Sequence, residues 1–179
     1  MRNNKYDIKT NTPDSIDIYQ VMSLLPVLPY QLIADVGCAD GSFTVPLSKL
    51  VYKGNVVALD ISMKNLALTR KILKKTRLTN AKTKVIKNNI IPIPDENLDG
   101  ATVNFLFDRT ENPDLVIADL VRSLKKNAWV AMIEQYGDND IDADLVAVSD
   151  CKNIAEKHGL RFYMKHNLSN EICMILFWK

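Results

Sequence analysis

A turn of small residues between an apolar segment and a helical one constrains the fold more than any other feature of this sequence. Residues 32–36, which are apolar except for Asp35, are followed at once by a turn that contains Gly37, Ala39 and Gly41. Glycine lacks a Cβ and tolerates positive φ, so such a turn lets a ligand approach the backbone. A helix that follows the turn offers its unpaired N–H groups to the same place. We therefore expect a strand, a binding turn and a helix near the start of an α/β domain.

Short β-branched segments alternate with segments of helical periodicity along the rest of the chain. This alternation is typical of βαβ units around a parallel sheet. The last two apolar segments are close enough in sequence to pair as an antiparallel hairpin. The predicted strands cover residues 32–36, 55–59, 85–86, 100–107, 129–134, 160–165 and 172–177. Two predicted helices cover residues 14–25 and 113–124. A short one ends near residue 53, another begins after its cap Ser62, and the last is capped by Ser149 and ends at Gly159.

Length and composition favour a single domain over residues 1–179, in which residues 1–30 form an N-terminal extension and helix. The chain has 179 residues, of which 47% are hydrophobic and 25% charged, which suits one α/β core. A formal net charge of +2 gives no argument for nucleic acid or a membrane as a partner. We expect no secretory signal, because the first dozen residues are polar, and the three cysteines lack metal-ligand spacing. We expect a cytoplasmic protein without a bound metal, and its oligomeric state stays open.

The glycine turn separates two classes of cofactor. A dinucleotide-binding fingerprint, Gly-x-Gly-x-x-Gly, would require glycine where this chain has Ala39 and Ser42. The turn instead resembles the acid-x-Gly-x-Gly-x-Gly motif of class I methyltransferases, met by Asp35, Gly37 and Gly41 with Ala39 as the one departure. Burying the Asp35 carboxylate without a partner would be costly, and the cationic part of S-adenosylmethionine would supply one. A tight turn without a ligand is the structural alternative.

Asp60 ends the second predicted strand, roughly 20 residues after the glycine turn, where an acidic side chain can accept hydrogen bonds from both ribose hydroxyls of an adenosine. A helix-capping role for Asp60 is an equally simple explanation, because Ser62 and a helix follow. A nicotinamide cofactor would use the same carboxylate. Asp60 therefore indicates a nucleoside without identifying it.

A proline-rich stretch discriminates further. Residues 91–100 read Ile-Pro-Ile-Pro-Asp-Glu-Asn-Leu-Asp-Gly and resemble the Leu-Pro-Phe-Pro-Asp-x-x-Phe-Asp stretch of the type-11, quinone-biosynthesis-like methyltransferases. The resemblance covers nearly the whole chain and implies a Rossmann-like three-layer sandwich with a mostly parallel seven-stranded sheet, whose C-terminal hairpin adds an antiparallel strand. It also implies S-adenosylmethionine as cofactor and a small-molecule methyl acceptor. The cofactor-binding residues that it implies are Asp35, Gly37, Cys38, Ala39, Asp40, Gly41, Asp60, Ile61, Asn88, Asn89, Asn104 and Phe105.

Methyl transfer requires no catalytic triad, because proximity and alignment alone can lower such a barrier by about 7–11 kcal/mol. A general base is needed only for a hydroxyl or protonated amine acceptor. The weak candidates for that base are Asp108, Glu134 and Tyr136, at the ends of the fourth and fifth predicted strands. Each is explained more simply as a solvated loop residue or a pocket wall. Residues 1–13 or 137–144 are candidates for a lid.

Three other functions remain open. An RNA methyltransferase is suggested by the basic residues 70–77, although a charge run on one helix is usually a solvated face, and we do not expect nucleic acid as a partner. A non-catalytic S-adenosylmethionine-binding module is suggested by the scarcity of glycine in the motifs. A nicotinamide oxidoreductase would share Asp60. No membrane partner is expected.

Overall fold

A computed structural model describes residues 16–135 and 148–179 of the chain. The elements in chain order are α1 (Ile18–Leu24), β1 (Leu32–Val36), α2 (Thr44–Leu50), β2 (Asn55–Asp60), α3 (Met63–Lys75), β3 (Ala81–Val85), β4 (Leu98–Asn104), α4 (Pro113–Ser123), β5 (Leu124–Gln135), α5 (Val148–Lys157), β6 (Arg161–Asn167) and β7 (Ile172–Trp178). Tyr136 and the two segments predicted as lids lie outside the described residues.

The seven strands form one sheet in the order β3-β2-β1-β4-β5-β7-β6. The pairs from β3 to β5 are parallel, whereas β7 runs antiparallel to both β5 and β6. The order steps outward from β1 to β3 and then returns to β4, so a switch point lies between β1 and β4. The predicted α/β sandwich, with its mostly parallel sheet and antiparallel hairpin strand, is confirmed.

Two apolar cores enclose the sheet and complete the three layers. One core packs α4 and α5 against Ala34, Val36 and their neighbours. The other packs α1 and α2 against Ile33 and Trp129 on the opposite face, where α3 also lies through Leu66. Adjacent residues of β1 therefore enter different cores, which is the alternation expected of a central strand. None of the helices within the described ranges is long and apolar enough to cross a membrane.

Several predicted helix ends are confirmed. Ser62 caps α3 by accepting a hydrogen bond from the backbone N–H of Asn65 at 3.3 Å. Pro113 occupies the first turn of α4, and Gly159 has a φ of +87° just after α5. Ser149 was expected to cap α5, but the helix starts at Val148, so Ser149 lies inside it.

Three predicted strand boundaries are wrong for identifiable reasons. β3 begins at Ala81 rather than at residue 85, because an edge strand with exposed Lys82 and Lys84 carries little apolar signal. β4 ends at Asn104 rather than at residue 107, because Phe105 has a φ of +52° that no strand can continue. β5 begins five residues before the predicted Trp129, because the exposed polar residues 125–127 carry no apolar signal.

Candidate functional site

The candidate site is the crevice at the carboxyl edge of the sheet, beside the switch point between β1 and β4. Parallel strands end at the same edge, so β1, β2, β4 and β5 bring their terminal side chains together there. The crevice is bounded by the glycine turn (residues 37–42), by Asp60, and by the loop after β4 (residues 105–112). Open α/β sheets bind ligands at such switch points.

Glycines in the turn meet steric demands of the fold as well as of a ligand. Gly37 has a φ of +77°, and a Cβ there would lie 2.6 Å from the backbone oxygen of Asn104. Gly41 has a φ of +91°, and its Cβ would lie 2.9 Å from Cγ2 of Ile72 on α3. Gly41 therefore serves the packing of the turn on α3. A valine at this position would meet the same contact with α3.

Ala39 stands where the motif has glycine, and it adopts a φ of +51°. An L-residue rarely adopts this conformation, so neighbouring contacts must hold it. Its backbone N–H donates to the Asp60 carboxylate at 3.0 Å, and its carbonyl accepts from the Thr69 hydroxyl at 2.8 Å. Cys38 beside it is buried. Asp40 accepts hydrogen bonds from the backbone and hydroxyl of Ser42, so its carboxylate stabilises the turn.

Asp35 is fully buried at the end of β1 and finds its partners within the chain. Its carboxylate accepts hydrogen bonds from the hydroxyls of Thr44 and Thr102 and from the amide of Asn104, the last at 2.7 Å. Burial raises the pKa of Asp35 to about 6, while these hydrogen bonds act in the opposite direction. The side chain thus joins β1, β4 and the start of α2. The partner expected from a cationic ligand is supplied by these three side chains.

Asn104 at the end of β4 has one unused acceptor. Its Nδ2 donates to Asp35 and to the carbonyl of Val36, which fixes the orientation of the amide. Its Oδ1 is the buried side-chain polar atom that lacks a hydrogen-bond partner among the described residues. Buried polar atoms are almost always paired in native proteins, so an unpaired one points to a ligand. Phe105, which follows, is buried in the core that contains α1 and α2.

Asp60 is 3% exposed at the end of β2 and retains room for a ligand. Its oxygens accept from the backbone N–H groups of Ala39 and Ser62 and from the side-chain amide of Asn65. A carboxylate has about four acceptor positions, so about one remains open. Without a rearrangement Asp60 can therefore accept from one ribose hydroxyl rather than from both. Ile61, next in the chain, has an exposed side chain.

Asn88 and Asn89 form the two central positions of a tight turn after β3. Their φ values are +51° and +62°, and the N–H of Ile90 donates to the carbonyl of Lys87 at 2.9 Å. Asparagine tolerates this left-handed conformation better than most residues, which explains the pair through local geometry. Contact of either Asn with an adenine stays a prediction.

Arg109 is a residue of the crevice that the sequence patterns did not indicate. Its Nη1 donates to the carbonyl of Gly37 at 3.2 Å and lies 3.7 Å from Oδ2 of Asp60. Its Cδ lies 3.8 Å from the position of a Cβ on Gly37, so the aliphatic stem covers the turn. The positive φ of Phe105, which turns the chain back over the crevice, could not be foreseen.

The three candidate bases have different surroundings. Glu134 is 2% exposed at the end of β5 and accepts hydrogen bonds from the backbone N–H groups of Leu106 and Phe107. Burial raises its pKa to about 8 against the effect of the Leu106 hydrogen bond, and the charge of Asp108 raises it further. Glu134 therefore fixes the loop after β4. Asp108 is exposed on that loop, and Tyr136 lies outside the described residues.

A cavity of about 480 Å³ borders the other side of the glycine turn. It lies between α1, the start of α2 and the outer part of α3. Its lining residues are Ile18, Tyr19, Asp40, Gly41, Ser42, Val45, Pro46, Leu68, Lys71, Ile72, Lys75 and Thr76. The part of the chain that the structure describes contains no group of three or more metal-ligating side chains placed to hold an ion.

Comparison with known proteins gives a family and a fold. Residues 34–132, more than half of the chain, match the methyltransferase-domain family Methyltransf_11. An uncharacterised methyltransferase of Schizosaccharomyces pombe is 27% identical over 129 residues, which are 69% of this chain and 45% of that protein. The chain thus spans less than half the length of this curated relative.

Two solved structures share the fold at low sequence identity. A SAM-dependent methyltransferase from Aquifex aeolicus has a TM-score of 0.85 and 22% identity, over 97% of this chain and 99% of its own. The cyclase SpnF has a TM-score of 0.82 and 11% identity, over 90% of this chain and 79% of its own. A cyclase and a methyltransferase on one fold show that the architecture alone does not determine the reaction.

Proposed function

The chain belongs to the methyltransferase-domain family, and from this premise we propose that it binds S-adenosylmethionine in the crevice and transfers the methyl group to a small-molecule acceptor. The observation that carries the proposal is the unpaired, buried Oδ1 of Asn104. It lies at the end of β4, next to β1 and its glycine turn, and its only chemical capacity is to accept a hydrogen bond. An ammonium group or a hydroxyl is the kind of ligand group that satisfies it.

The other polar groups of the crevice fit the same cofactor. Asp60 has an open acceptor position for a ribose hydroxyl, and the carbonyl of Gly37 is a further acceptor. The guanidinium of Arg109 lies close to both of these groups. The residues that would hold S-adenosylmethionine are therefore Asp60, Asn104 and the backbone of Gly37.

Bound S-adenosylmethionine would supply an electrophilic methyl group on a sulfonium, which an in-line displacement transfers to the acceptor. The contribution of this chain is positioning, worth about 7–11 kcal/mol when alignment is good. Glu134 is poorly suited to remove a proton, because its raised pKa of about 8 leaves it largely protonated at neutral pH. A base such as Asp108 is needed only if the acceptor is a hydroxyl or a protonated amine.

The size of the cavity beside the glycine turn favours a small molecule as the acceptor class, and this role requires that the cavity open towards the methyl group of the bound cofactor. Its volume of about 480 Å³ lies in the range of ligand pockets, which is about 300–1,000 Å³. Apolar walls from Val45, Leu68 and Ile72 are combined with the ammonium groups of Lys71 and Lys75. This lining favours an apolar molecule with an anionic group. Mass spectrometry of compounds released from the purified protein would identify it.

Calorimetric titration tests the cofactor. We expect the wild type to bind S-adenosylmethionine and S-adenosylhomocysteine, and Asp60→Asn to bind both about 10–100-fold more weakly, because a hydrogen bond to a charged group is worth about 1.5–3 kcal/mol. Asp150→Asn, an exposed position on α5, is the matched control and should keep wild-type affinity. Wild-type affinity in Asp60→Asn would refute the site. Tighter binding of NADH than of S-adenosylhomocysteine would favour an oxidoreductase instead.

Turnover separates an enzyme from a non-catalytic binding module. The released compound, or extracts that contain it, should convert S-adenosylmethionine to S-adenosylhomocysteine in the presence of the protein. The protein would be a module that only binds if it bound the cofactor but formed no S-adenosylhomocysteine with any fraction that contains the released compound.

RNA as the methyl acceptor is the second candidate, favoured by one specific observation. Residues 61–94 contain nine basic residues and no acidic residue. We name these residues the basic edge: Lys64, Arg70, Lys71, Lys74, Lys75, Arg77, Lys82, Lys84 and Lys87. None of them forms an ion pair with another residue of the described ranges, and they cover α3 and the outer strand β3. Lysines on an edge strand also prevent edge-to-edge aggregation, which accounts for Lys82 and Lys84 but not for α3.

Salt-dependent binding distinguishes the two acceptor classes. If RNA is the acceptor, anisotropy with a labelled single-stranded RNA should show an affinity that falls steeply with salt. Reversing Arg70, Lys71, Lys74 and Lys75 to glutamate should abolish this binding. Four equal reversals elsewhere, at the exposed Lys49, Lys53, Lys126 and Arg161, form the control. Equal loss in both variants would indicate a nonspecific charge effect and would favour the small molecule.

A further inference from the structure

Arg109 places a permanent positive charge inside a crevice whose other ionised groups are acidic. Its Nη1 lies 3.2 Å from the carbonyl oxygen of Gly37 and 3.7 Å from Oδ2 of Asp60. The side chain is 22% exposed, so the guanidinium is shielded from solvent on most sides. Arginine keeps its charge at any pH at which a protein is folded. The crevice therefore already contains a cation of its own.

The field of Arg109 reaches the carboxyl groups around it. Burial raises the pKa of Asp35 and of Glu134, and the charge of Arg109 acts in the opposite direction on both. Together with the contact to Asp60, this places the guanidinium among three carboxyl groups from β1, β2 and β5. A second cation that enters the same crevice meets the Asp60 carboxylate, whose charge Arg109 already compensates in part.

The groups that Arg109 contacts are the ones assigned above to the cofactor. Gly37 offers its backbone carbonyl to the crevice. The Cδ of Arg109 lies 3.8 Å from the position that a Cβ on Gly37 would take. Asp60 has about one acceptor position left once its three internal donors are counted. A nucleoside that takes this position and passes over Gly37 meets the guanidinium beside both groups.

We propose that Arg109 sets the cofactor specificity of the crevice by competing with a cationic ligand for the Asp60 carboxylate and the Gly37 carbonyl. The proposal rests on the proposed function and adds a residue to it. S-adenosylmethionine carries a sulfonium charge that S-adenosylhomocysteine lacks. Arg109 therefore opposes the binding of S-adenosylmethionine in two ways, by occupation and by charge, and the binding of S-adenosylhomocysteine in only one.

The test compares the two ligands in Arg109→Gln by calorimetry. We expect the affinity for S-adenosylmethionine to rise about tenfold and that for S-adenosylhomocysteine to rise less, since S-adenosylmethionine carries the additional positive charge of the sulfonium. Arg109→Lys keeps the positive charge but replaces the planar guanidinium with an ammonium group. The ratio of its affinities for S-adenosylmethionine and S-adenosylhomocysteine should therefore stay near that of the wild type. Arg161→Gln on the outer strand β6 makes the same change of net charge and should alter neither affinity.

The ratio of the two affinities separates a specific role from a structural one. A loss of packing would change both affinities by the same factor, and that result would overturn the proposal. Weaker binding of both ligands by Arg109→Gln would overturn it as well, because Arg109 would then contact the cofactor favourably. If the wild type binds neither ligand, the proposed function fails and this proposal falls with it. Melting temperatures of all variants establish that they are folded.

Discussion

Asp35 and Asp60 both lie near the carboxyl ends of adjacent parallel strands, yet their surroundings differ. Asp35 is completely enclosed and is bound by three side chains from β4 and α2. Asp60 is bound by two backbone N–H groups and one side chain, lies beside Arg109, and keeps an open acceptor position. The difference shows that one carboxylate joins elements of the fold while the other faces the crevice. Similar positions in a motif do not imply similar roles.

The largest expected effect comes from removing the enclosed carboxylate. Asp35→Ala should lower the free energy of unfolding by about 3 kcal/mol, because it leaves buried donors on Thr44, Thr102 and Asn104 without their acceptor. Asp60→Ala should cost about 1 kcal/mol, since solvent can reach its donors more easily. Urea denaturation measures both values. Equal losses would remove the distinction between the two carboxylates.

The turn between the two carboxylates gives the next effect. Gly41→Ala and Gly159→Ala both place a Cβ on a residue of positive φ, at φ values of +91° and +87°. Strain of this kind costs roughly 1–3 kcal/mol. Only the Cβ at Gly41 meets close neighbours, on Ile72 and Thr69, whereas the Cβ at Gly159 meets nothing within 4 Å. Gly41→Ala should therefore be the less stable variant in urea.

If these two variants proved equally stable, steric contact with α3 would not explain Gly41. A role in ligand approach would then account better for the glycine. Cofactor titration of Gly41→Ala would distinguish the two explanations, because a packing role predicts lower stability with little change in affinity at a temperature where the variant is folded.

A further expected effect concerns pH and brings in Glu134 as a third enclosed carboxyl group. Burial raises the pKa of Asp35 from 3.8 to about 6 and that of Glu134 from 4.5 to about 8. Between these values the folded protein binds more protons than the unfolded chain. The contribution of these two groups to the free energy of unfolding is therefore fully present below about pH 4 and is lost as the pH rises. The decline ends near pH 6 for Asp35 and near pH 8 for Glu134.

Glu134→Gln isolates the upper part of this decline. Glutamine keeps an acceptor for the N–H of Leu106 and cannot ionise, so the melting temperature should change less between about pH 6 and pH 8.5 than in the wild type. Differential scanning fluorimetry across this range measures the change. An unaltered slope would show that Glu134 is ionised in the folded state well below pH 8.

Much of the fold followed from local patterns in the sequence. The βαβ alternation, the Ser62 cap and the Pro113 start of α4 each depend on residues within one or two turns of each other, and all three are confirmed. β3 was placed too late because its exposed lysines obscure the apolar alternation. Patterns of this kind predict elements reliably only where one face of the element is clearly apolar.

The site was less accessible to sequence reasoning, because its contacts join distant residues. The Asp35–Asn104 hydrogen bond spans 69 positions, and the Arg109–Gly37 hydrogen bond spans 72. Sequence patterns placed Asp35, Gly37 and Asp60 at strand ends, but they could not show that Asp35 has partners of its own. The position of Arg109 depends on the positive φ of Phe105, which is an unusual conformation for an aromatic residue. Cofactor contact by the predicted residues stays a prediction.

The buried thiols offer a way to time local opening of this protein. Burial raises the pKa of Cys38 in the glycine turn, of Cys151 on α5 and of Cys173 on β7. An alkylating reagent attacks the thiolate, so each cysteine should react only after its own region opens. The labelling rate of Cys38 then reports how often the glycine turn opens, and the rates of Cys151 and Cys173 are internal references in the same molecule. A ligand that covers the turn should lower the labelling rate of Cys38 and leave the labelling rates of Cys151 and Cys173 unchanged.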